Sequence, residues 1–319
     1  MKTNTFTHKF ATCAAVSALA LAAHTAGAAL LVHEPFDYTG ENVSIVGLDG
    51  GVGFDGAWNG SGFNQAHTVG RTSFASGAGT TVNSDGGLDF LPLISSGSGL
   101  SRFGNAGQRE ANRILTTTAQ SALTQDNTSM WFSVLMSATD NGAARVASFL
   151  FGNQTFETSG GGLAAEGQGF GVAFRTDSNG SMSPGDGSPN ALAFLDSQNA
   201  TIGLATGFTP VTQPGATHQD TILVVGKINW NPIGTDDELF IFNITQPGGP
   251  APDESDAIAS LTGDFDQSTW DTIAVYDSGF SIVDEIRMGT SFDAVTPIPE
   301  PSTAALAALA GLGLLRRRR

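Results

Sequence analysis

Met130-Trp131-Phe132-Ser133-Val134-Leu135-Met136 stands between the turn signals Asp126-Asn127 and Asp140-Asn141-Gly142. An apolar run of this length, rich in aromatic and branched residues and closed by Asn, Asp and Gly, reads as a β-strand. Similar runs recur at 146–151, 170–175, 191–195, 221–230, 238–244, 272–276 and 280–288, with Gly, Asn and Asp between them. In Phe170-Gly171-Val172-Ala173-Phe174 the two phenylalanines share a face, because side chains alternate along a strand. The stretch 222–225 is apolar on both faces and suits a central strand. Many short strands with Gly-rich turns predict an all-β chain folded as a two-layer antiparallel sandwich. Helical periodicity is scarce, and Thr116, Thr117 and Thr118 draw 114–118 toward strand. Long loops are expected at 177–190 and 246–256.

The two ends of the chain differ from this pattern. Lys2, His8 and Lys9 precede an apolar run at 10–23, and Ala26-Gly27-Ala28 follows. This is the layout of a secretory signal peptide over 1–28, with Ala26 and Ala28 as the small residues of the cleavage site. Cys13, the sole cysteine, lies inside that leader, so the mature body carries no thiol nucleophile, thiolate zinc site or disulfide. At the other end, 297–319 holds Pro299-Glu300-Pro301, an apolar segment at 304–315 and Arg316 to Arg319. The arginines favour retention on the cytoplasmic side of a membrane. The apolar segment has 12 residues, short of the ~20 that span a bilayer as a helix.

This tail resembles the PEP C-terminal sorting signal (PEP-CTERM) of exported proteins in biofilm- and exopolysaccharide-forming Gram-negative bacteria. The resemblance implies recognition by an exosortase, a membrane-embedded transpeptidase that cleaves near the Pro-Glu-Pro motif. Pro299, Glu300 and Pro301 would then be residues read by another enzyme, with transient anchoring in the inner membrane. A permanent tail anchor or a surface amphiphile is the other reading of the same residues.

Between the ends, 29–296 forms one β-sandwich domain by this reading. It keeps eight Lys and Arg against 29 Asp and Glu, a balance near −21. Such a surface repels phosphate backbones, which excludes nucleic acid as a partner. Charged residues are 14% of the chain, against roughly 25% in average domains, so Ser, Thr, Asn and Gly carry much of the polar surface.

Leu31-Val32-His33-Glu34-Pro35-Phe36-Asp37-Tyr38 and Gly50-Gly51-Val52-Gly53-Phe54-Asp55-Gly56-Ala57-Trp58 resemble the opening of PEP-CTERM proteins from planctomycete- and verrucomicrobia-type bacteria. The segments 225–240 and 283–291 resemble later strands of their laminin G-like, concanavalin A-type jelly roll. The resemblance implies binding of extracellular polysaccharide, with calcium at one rim.

Chemical motifs are sparse. His33, His67 and His218 form no metal-binding pattern, and no serine sits in a nucleophile elbow. Glycoside hydrolysis needs two carboxylates flanking the scissile bond, and the Glu-x-Asp-x-x-Glu pattern of concanavalin-type laminarinases is not found. The acidic clusters 236–238 and 253–256 read as solvated turns; their sharper reading is a calcium site built from Asp236, Asp237, Asp264 and Asp266 with hard oxygen ligands. Asp284-Glu285 reads as a structural pair with Arg287 or a backbone cap. Trp131 and Trp230 lie in apolar strands and belong to the core, whereas Trp58, between Gly56 and Gly60, and Trp270, after Asp266-Gln267-Ser268-Thr269, are the candidates for exposed stacking on sugar rings. The expectation is an exported, non-enzymatic cell-surface or matrix protein that binds or organises exopolysaccharide. A secreted glycosidase or lyase on the same fold and a purely structural coat protein are the alternatives.

Overall fold

A computed structural model describes residues 29–38, 43–59, 68–69, 100–101, 109–138, 146–153, 157–158, 165–166, 169–175, 190–195, 201–205, 222–244, 248–278 and 281–296. The leader with Ala26 and Ala28, the tail with Pro299, Glu300 and Pro301, residues 177–189 of the expected loop, His67 and His218 lie outside the described residues. Among the described residues, no helix is long and apolar enough to cross a membrane.

The chain begins with β1 (Leu30–Glu34), β2 (Val43–Ser44), β3 (Thr68–Val69), β4 (Leu100–Ser101) and β5 (Arg109–Ile114). After helix α1 (Thr117–Leu123) come β6 (Ser129–Ala138), β7 (Val146–Gly152), β8 (Glu157–Thr158), β9 (Ala165–Glu166) and β10 (Gly169–Arg175). The remainder is β11 (Asn190–Leu195), β12 (Thr201–Ala205), β13 (Ile222–Asn229), β14 (Asp237–Asn243), β15 (Ala259–Gly263), β16 (Thr272–Ser278), β17 (Ser281–Gly289) and the short helix α2 (Phe292–Val295). Hydrogen bonding orders one nine-stranded sheet as β15-β14-β13-β6-β17-β4-β3-β2, with β1 also on β17. A six-stranded sheet runs β12-β11-β10-β7-β16-β5, and β8 pairs with β9 alone. All these pairs are antiparallel. The protein is an all-β antiparallel sandwich, and β13, which holds 222–225, is an interior strand as expected.

The alternation along β6 explains both faces of the large sheet. Met130, Phe132, Val134 and Met136 point inward to a core shared with Phe149 and Phe151 of β7, Phe170 of β10 and Ile273 and Val275 of β16. Phe132 lies with its ring centroid 5.1 Å from that of Phe170 and 5.7 Å from that of Phe149, so aromatic contacts join the two layers. Gly226 faces Phe132 in the register of β13 with β6, and a Cβ at Gly226 would collide with the Phe132 ring. The absence of a side chain there is what lets the ring lie across the neighbouring strand.

Trp131 and Leu135 point the other way and join Leu223, Val225, Phe242 and Ile282 in a second core, which Phe292 and Val295 of α2 cover. Burying a phenylalanine in this way contributes roughly 1.5–3 kcal/mol. Ser291 accepts the Ala294 N–H at 3.3 Å to start α2, and the Ser133 hydroxyl donates to Val295 O at 2.6 Å to hold it on the sheet.

The region 114–118 departs from the expected strand. Strand β5 ends at Ile114, and Thr116 becomes the N-cap of α1, its Oγ1 accepting the Ala119 N–H at 3.2 Å. A capping hydroxyl together with Ala119 and Leu123, buried at helical spacing, outweighs the strand preference of consecutive threonines.

Candidate functional site

The four carboxylates proposed for calcium lie at one end of the sandwich, where the β13–β14 hairpin meets the segment following β15. Asp237 is buried, and its two oxygens accept separate backbone donors: Oδ1 takes Asn231 N at 2.7 Å and Oδ2 takes Phe265 N at 3.1 Å. Burial pushes its carboxyl upward in pKa; the two amides pull it back, and the charges of Asp264 and Asp126 add to the upward push. Asp264 accepts Gly234 N at 2.9 Å, Asp266 accepts the Ser268 hydroxyl, and Asp236 offers its backbone carbonyl to Asn231 Nδ2 at 2.7 Å. Gln267 ties the same end to the turn before β6 by donating to Asp126 Oδ1 at 2.6 Å.

The arrangement does not gather Asp236, Asp237, Asp264 and Asp266 into an assembled ligand set among the described residues. Asp237, Asp264 and Asp266 accept hydrogen bonds that close turns, and among the described residues no group of three or more His, Cys, Asp or Glu side chains is placed to hold a metal ion. Asp237→Asn is expected to lower stability by about 1–3 kcal/mol, because the amide oxygen can replace only one of the two carboxylate oxygens that accept from Asn231 N and the buried Phe265 N. Urea denaturation checks it, and an unchanged midpoint would remove Asp237 from the architecture of this end.

The exposure expected of Trp58 and Trp270 is corrected. They are 1% and 0% exposed, so neither offers a face to a sugar ring. Trp270 sits amid Phe151, Phe170, Trp230 and Phe265, and Trp58 stacks on Phe36 at 5.8 Å. The glycines around Trp58 and the polar run before Trp270 belong to segments that turn the indoles inward. Trp131 and Trp230 are buried, in line with expectation.

The opening motif forms a buried polar nucleus that no local pattern announced. Glu34 Oε2 accepts Arg113 Nη1 at 2.8 Å, the Tyr38 hydroxyl at 2.9 Å and Trp58 Nε1 at 3.0 Å, while Oε1 accepts Phe36 N at 2.9 Å. Arg113 also donates to Gly50 O at 2.7 Å, to Gly56 O at 2.8 Å and to Asp49, and lies 4.1 Å over the Phe54 ring. Burial, followed by the neighbouring Glu34 charge, raises the pKa of the Tyr38 hydroxyl, keeping it a donor. Nearly every hydrogen-bonding position here is taken by the protein itself, so the nucleus is structural.

Asp284 and Glu285 mark a bulge in β17, where the register with β6 slips between Asp284 and Arg287. Glu285 has φ 49°, and its carboxylate takes Arg287 Nη2 at 2.7 Å and His33 Nε2 at 2.8 Å. The expected pairing with Arg287 is present, and His33 extends it to tie β1 onto β17.

A polar strip on the outer face of the large sheet completes the set. Strand register puts Ser129, Asn229, Glu238 and Thr262 in one cross-strand row and Trp131, Lys227, Phe240 and Ser260 in the next. Glu254, from the 3-10 turn Glu254–Asp256, accepts Lys227 Nζ at 2.6 Å and Asn229 Nδ2 at 2.8 Å. Asn229 Nδ2 also reaches Glu238 Oε2 at 3.3 Å, and its Oδ1 accepts the Ser129 hydroxyl at 2.7 Å. The hydrogen bond from Lys227, then that from Asn229, lowers the pKa of Glu254 and keeps it ionised. Lys227 and Asn229 alternate with apolar residues at the hairpin end of β13, which is the sequence signal for this face; the partnership with Glu254 is not visible in it.

No family model matches the chain, and no curated protein matches it. Among solved structures it is similar to the CBM2 module of an evolved Dit of Lactobacillus casei BL23 phage J-1, at 10% identity and TM-score 0.37, over 83% of this chain and 96% of that one. Lectin UEA-II complexed with galactose follows at 9% identity and TM-score 0.30, over 60% of this chain and 86% of that one. Lectin II from Ulex europaeus shows 11% identity and TM-score 0.29 over the same shares. The sandwich assignment stands on the strand pairing of this chain itself.

Proposed function

We propose that the protein is an exported, non-catalytic β-sandwich of the cell surface or extracellular matrix of a Gram-negative-type bacterium, where it binds or organises exopolysaccharide. The observation that carries this reading is the order of segments in the sequence: a leader over 1–28, an acidic body with one lysine, and a tail with Pro299-Glu300-Pro301, an apolar run and four arginines. An exosortase-type transpeptidase is the partner that this tail suits, with the inner membrane engaged transiently. A body near −21 in charge suits a neutral hydrated polymer better than an anionic one.

The test uses the whole chain in two assays. Truncation after Thr296 is expected to change its cellular location. The purified full chain is expected to be retained on insoluble neutral polysaccharides without releasing sugar, and to remain bound when calcium is chelated, since the rim carboxylates are engaged in closing turns. Release of reducing sugar would instead establish the glycosidase or lyase alternative, and absence of retention on every polymer would favour the structural coat.

A further inference from the structure

We propose that the strip built from Ser129, Lys227, Asn229, Glu238, Glu254 and Thr262 is the surface that takes the polymer, and that its ligand is a neutral polyhydroxylated chain lying across β6, β13, β14 and β15. This rests on the polysaccharide reading above and assigns it a place.

The outer face of the large sheet changes character along the strands. Its Leu135, Leu223, Val225 and Phe242 portion is buried in one cluster with Phe292 and Val295 of α2, whereas Ser260, Thr262 and Glu254 are exposed and Asn229, Glu238 and Phe240 are half-buried. Four strands at 4.7–4.9 Å spacing make the row from Ser129 to Thr262 about 15 Å long, which suits an extended ligand running across the strands.

The groups of the strip are already fixed by one another. Asn229 is held by Ser129, Glu238 and Glu254, and Lys227 is held by Glu254 and lies 5.8 Å from the Trp131 ring centroid. The two Asn229 N–H donors are given to Glu238 and Glu254, so a ligand meets the ordered carboxylate and hydroxyl acceptors and the remaining Lys227 ammonium protons, and little side-chain freedom is lost on binding. Amide, ammonium, carboxylate and hydroxyl alternate within the strip, and sugar hydroxyls, which both donate and accept, match such a mixture. Phe240, in the next row, is half-buried and packs against the second core, so polar groups dominate the strip.

Charge and apolarity exclude the competing occupants. Glu238 and Glu254 sit beside Lys227, the sole lysine after residue 28, so an anionic polymer meets net repulsion. A protein interface needs an apolar centre. The large hydrophobic residues exposed among the described ones are Leu30, Val46, Val52 and Ile233, and none belongs to the strip.

The experiment measures retention of the full chain and its variants on cellulose, curdlan and mannan, with alginate as the anionic polymer. Thr262→Arg obstructs one end of the row from an exposed edge position, Asn229→Ala removes the amide that holds Ser129, Glu238 and Glu254 in place, and Ser268→Arg alters the acidic rim instead. Wild type and Ser268→Arg are expected to be retained equally on a neutral polymer, with affinity lowered about tenfold or more by Thr262→Arg and by Asn229→Ala. An unchanged thermal midpoint for Thr262→Arg separates lost binding from lost folding. If wild type binds and both strip variants bind as well as it does, the strip is refuted while the polysaccharide reading stands. Retention on alginate alone refutes the neutral ligand, and no retention of wild type on any polymer refutes both readings.

Discussion

Arg113→Ala is expected to lower the free energy of unfolding by about 3–5 kcal/mol, the usual result of deleting one partner of a buried ion pair. Glu34 is 0% exposed and would be left with only Tyr38, Trp58 and the Phe36 amide as hydrogen-bond partners. The carbonyls of Gly50 and Gly56 would lose their donors in the same step, leaving the 49–56 segment joined to β5 through the Asp55 N–Ile114 O bond at 2.9 Å. Small domains are typically stable by about 5–15 kcal/mol, so the change would be visible as a large fall in the urea midpoint. Asp49→Ala, which removes a partner whose side chain is 67% exposed, is expected to cost less than about 1 kcal/mol. The paired replacement Glu34→Gln with Arg113→Met should recover part of the loss, since no uncompensated charge remains. A cost for Arg113→Ala close to that for Asp49→Ala would show that the nucleus does not hold the opening segment in place.

This nucleus also shows where sequence reading reaches its limit. The residues Glu34, Phe36, Tyr38, Trp58 and the glycines between them stood out as a motif, but their common partner Arg113 lies 79 residues from Glu34 along the chain. Period and composition are local, and the pairing is not. The glycines have the same explanation: a Cβ at Gly51 or Gly53 would strike the backbone of β1 at His33 or Leu31, and both glycines have positive φ. Strands such as β6, β10 and β13 were legible because burial on one or both faces writes itself into alternation or a continuous apolar run. The second core was hidden by the opposite circumstance. Phe292 and Val295 belong to a helix of four residues, too short to show a helical period, yet they join the cluster of Trp131 and Phe242, with Phe292 edge-on to Trp131 at 5.4 Å. Of the candidate site residues, Asp237 and Asp264 do meet at one end of the sandwich, but as fasteners of turns, a role that the acidic composition alone does not distinguish from ion binding.

Trp270→Ala should cost about 3–5 kcal/mol in stability, the range for truncating a buried large aromatic. Its ring lies 5.4 Å from Trp230 and from Phe265 and 5.7 Å from Phe151, at angles from 57° to 88°, so it links β7 of the smaller sheet to residues that follow β13 and β15 of the larger one through edge-on and tilted contacts. Trp270→Phe sets two opposing effects against each other. The smaller ring leaves a void, but it also removes an indole N–H that is buried with no hydrogen-bond acceptor among the described residues, a group whose desolvation costs about 1–3 kcal/mol. The phenylalanine variant is therefore expected to lose less than half of what alanine loses. Thermal and urea unfolding of the two variants, read beside polymer retention at a temperature where both remain folded, separate a core residue from a sugar platform. A core residue moves the unfolding midpoint and leaves retention of the folded fraction unchanged, whereas a stacking residue would lose retention at an unchanged midpoint. The same pair of measurements, applied to Thr262→Arg, is expected to give the reverse pattern, because that side chain stands on the open face and Trp270 fills the space between the sheets.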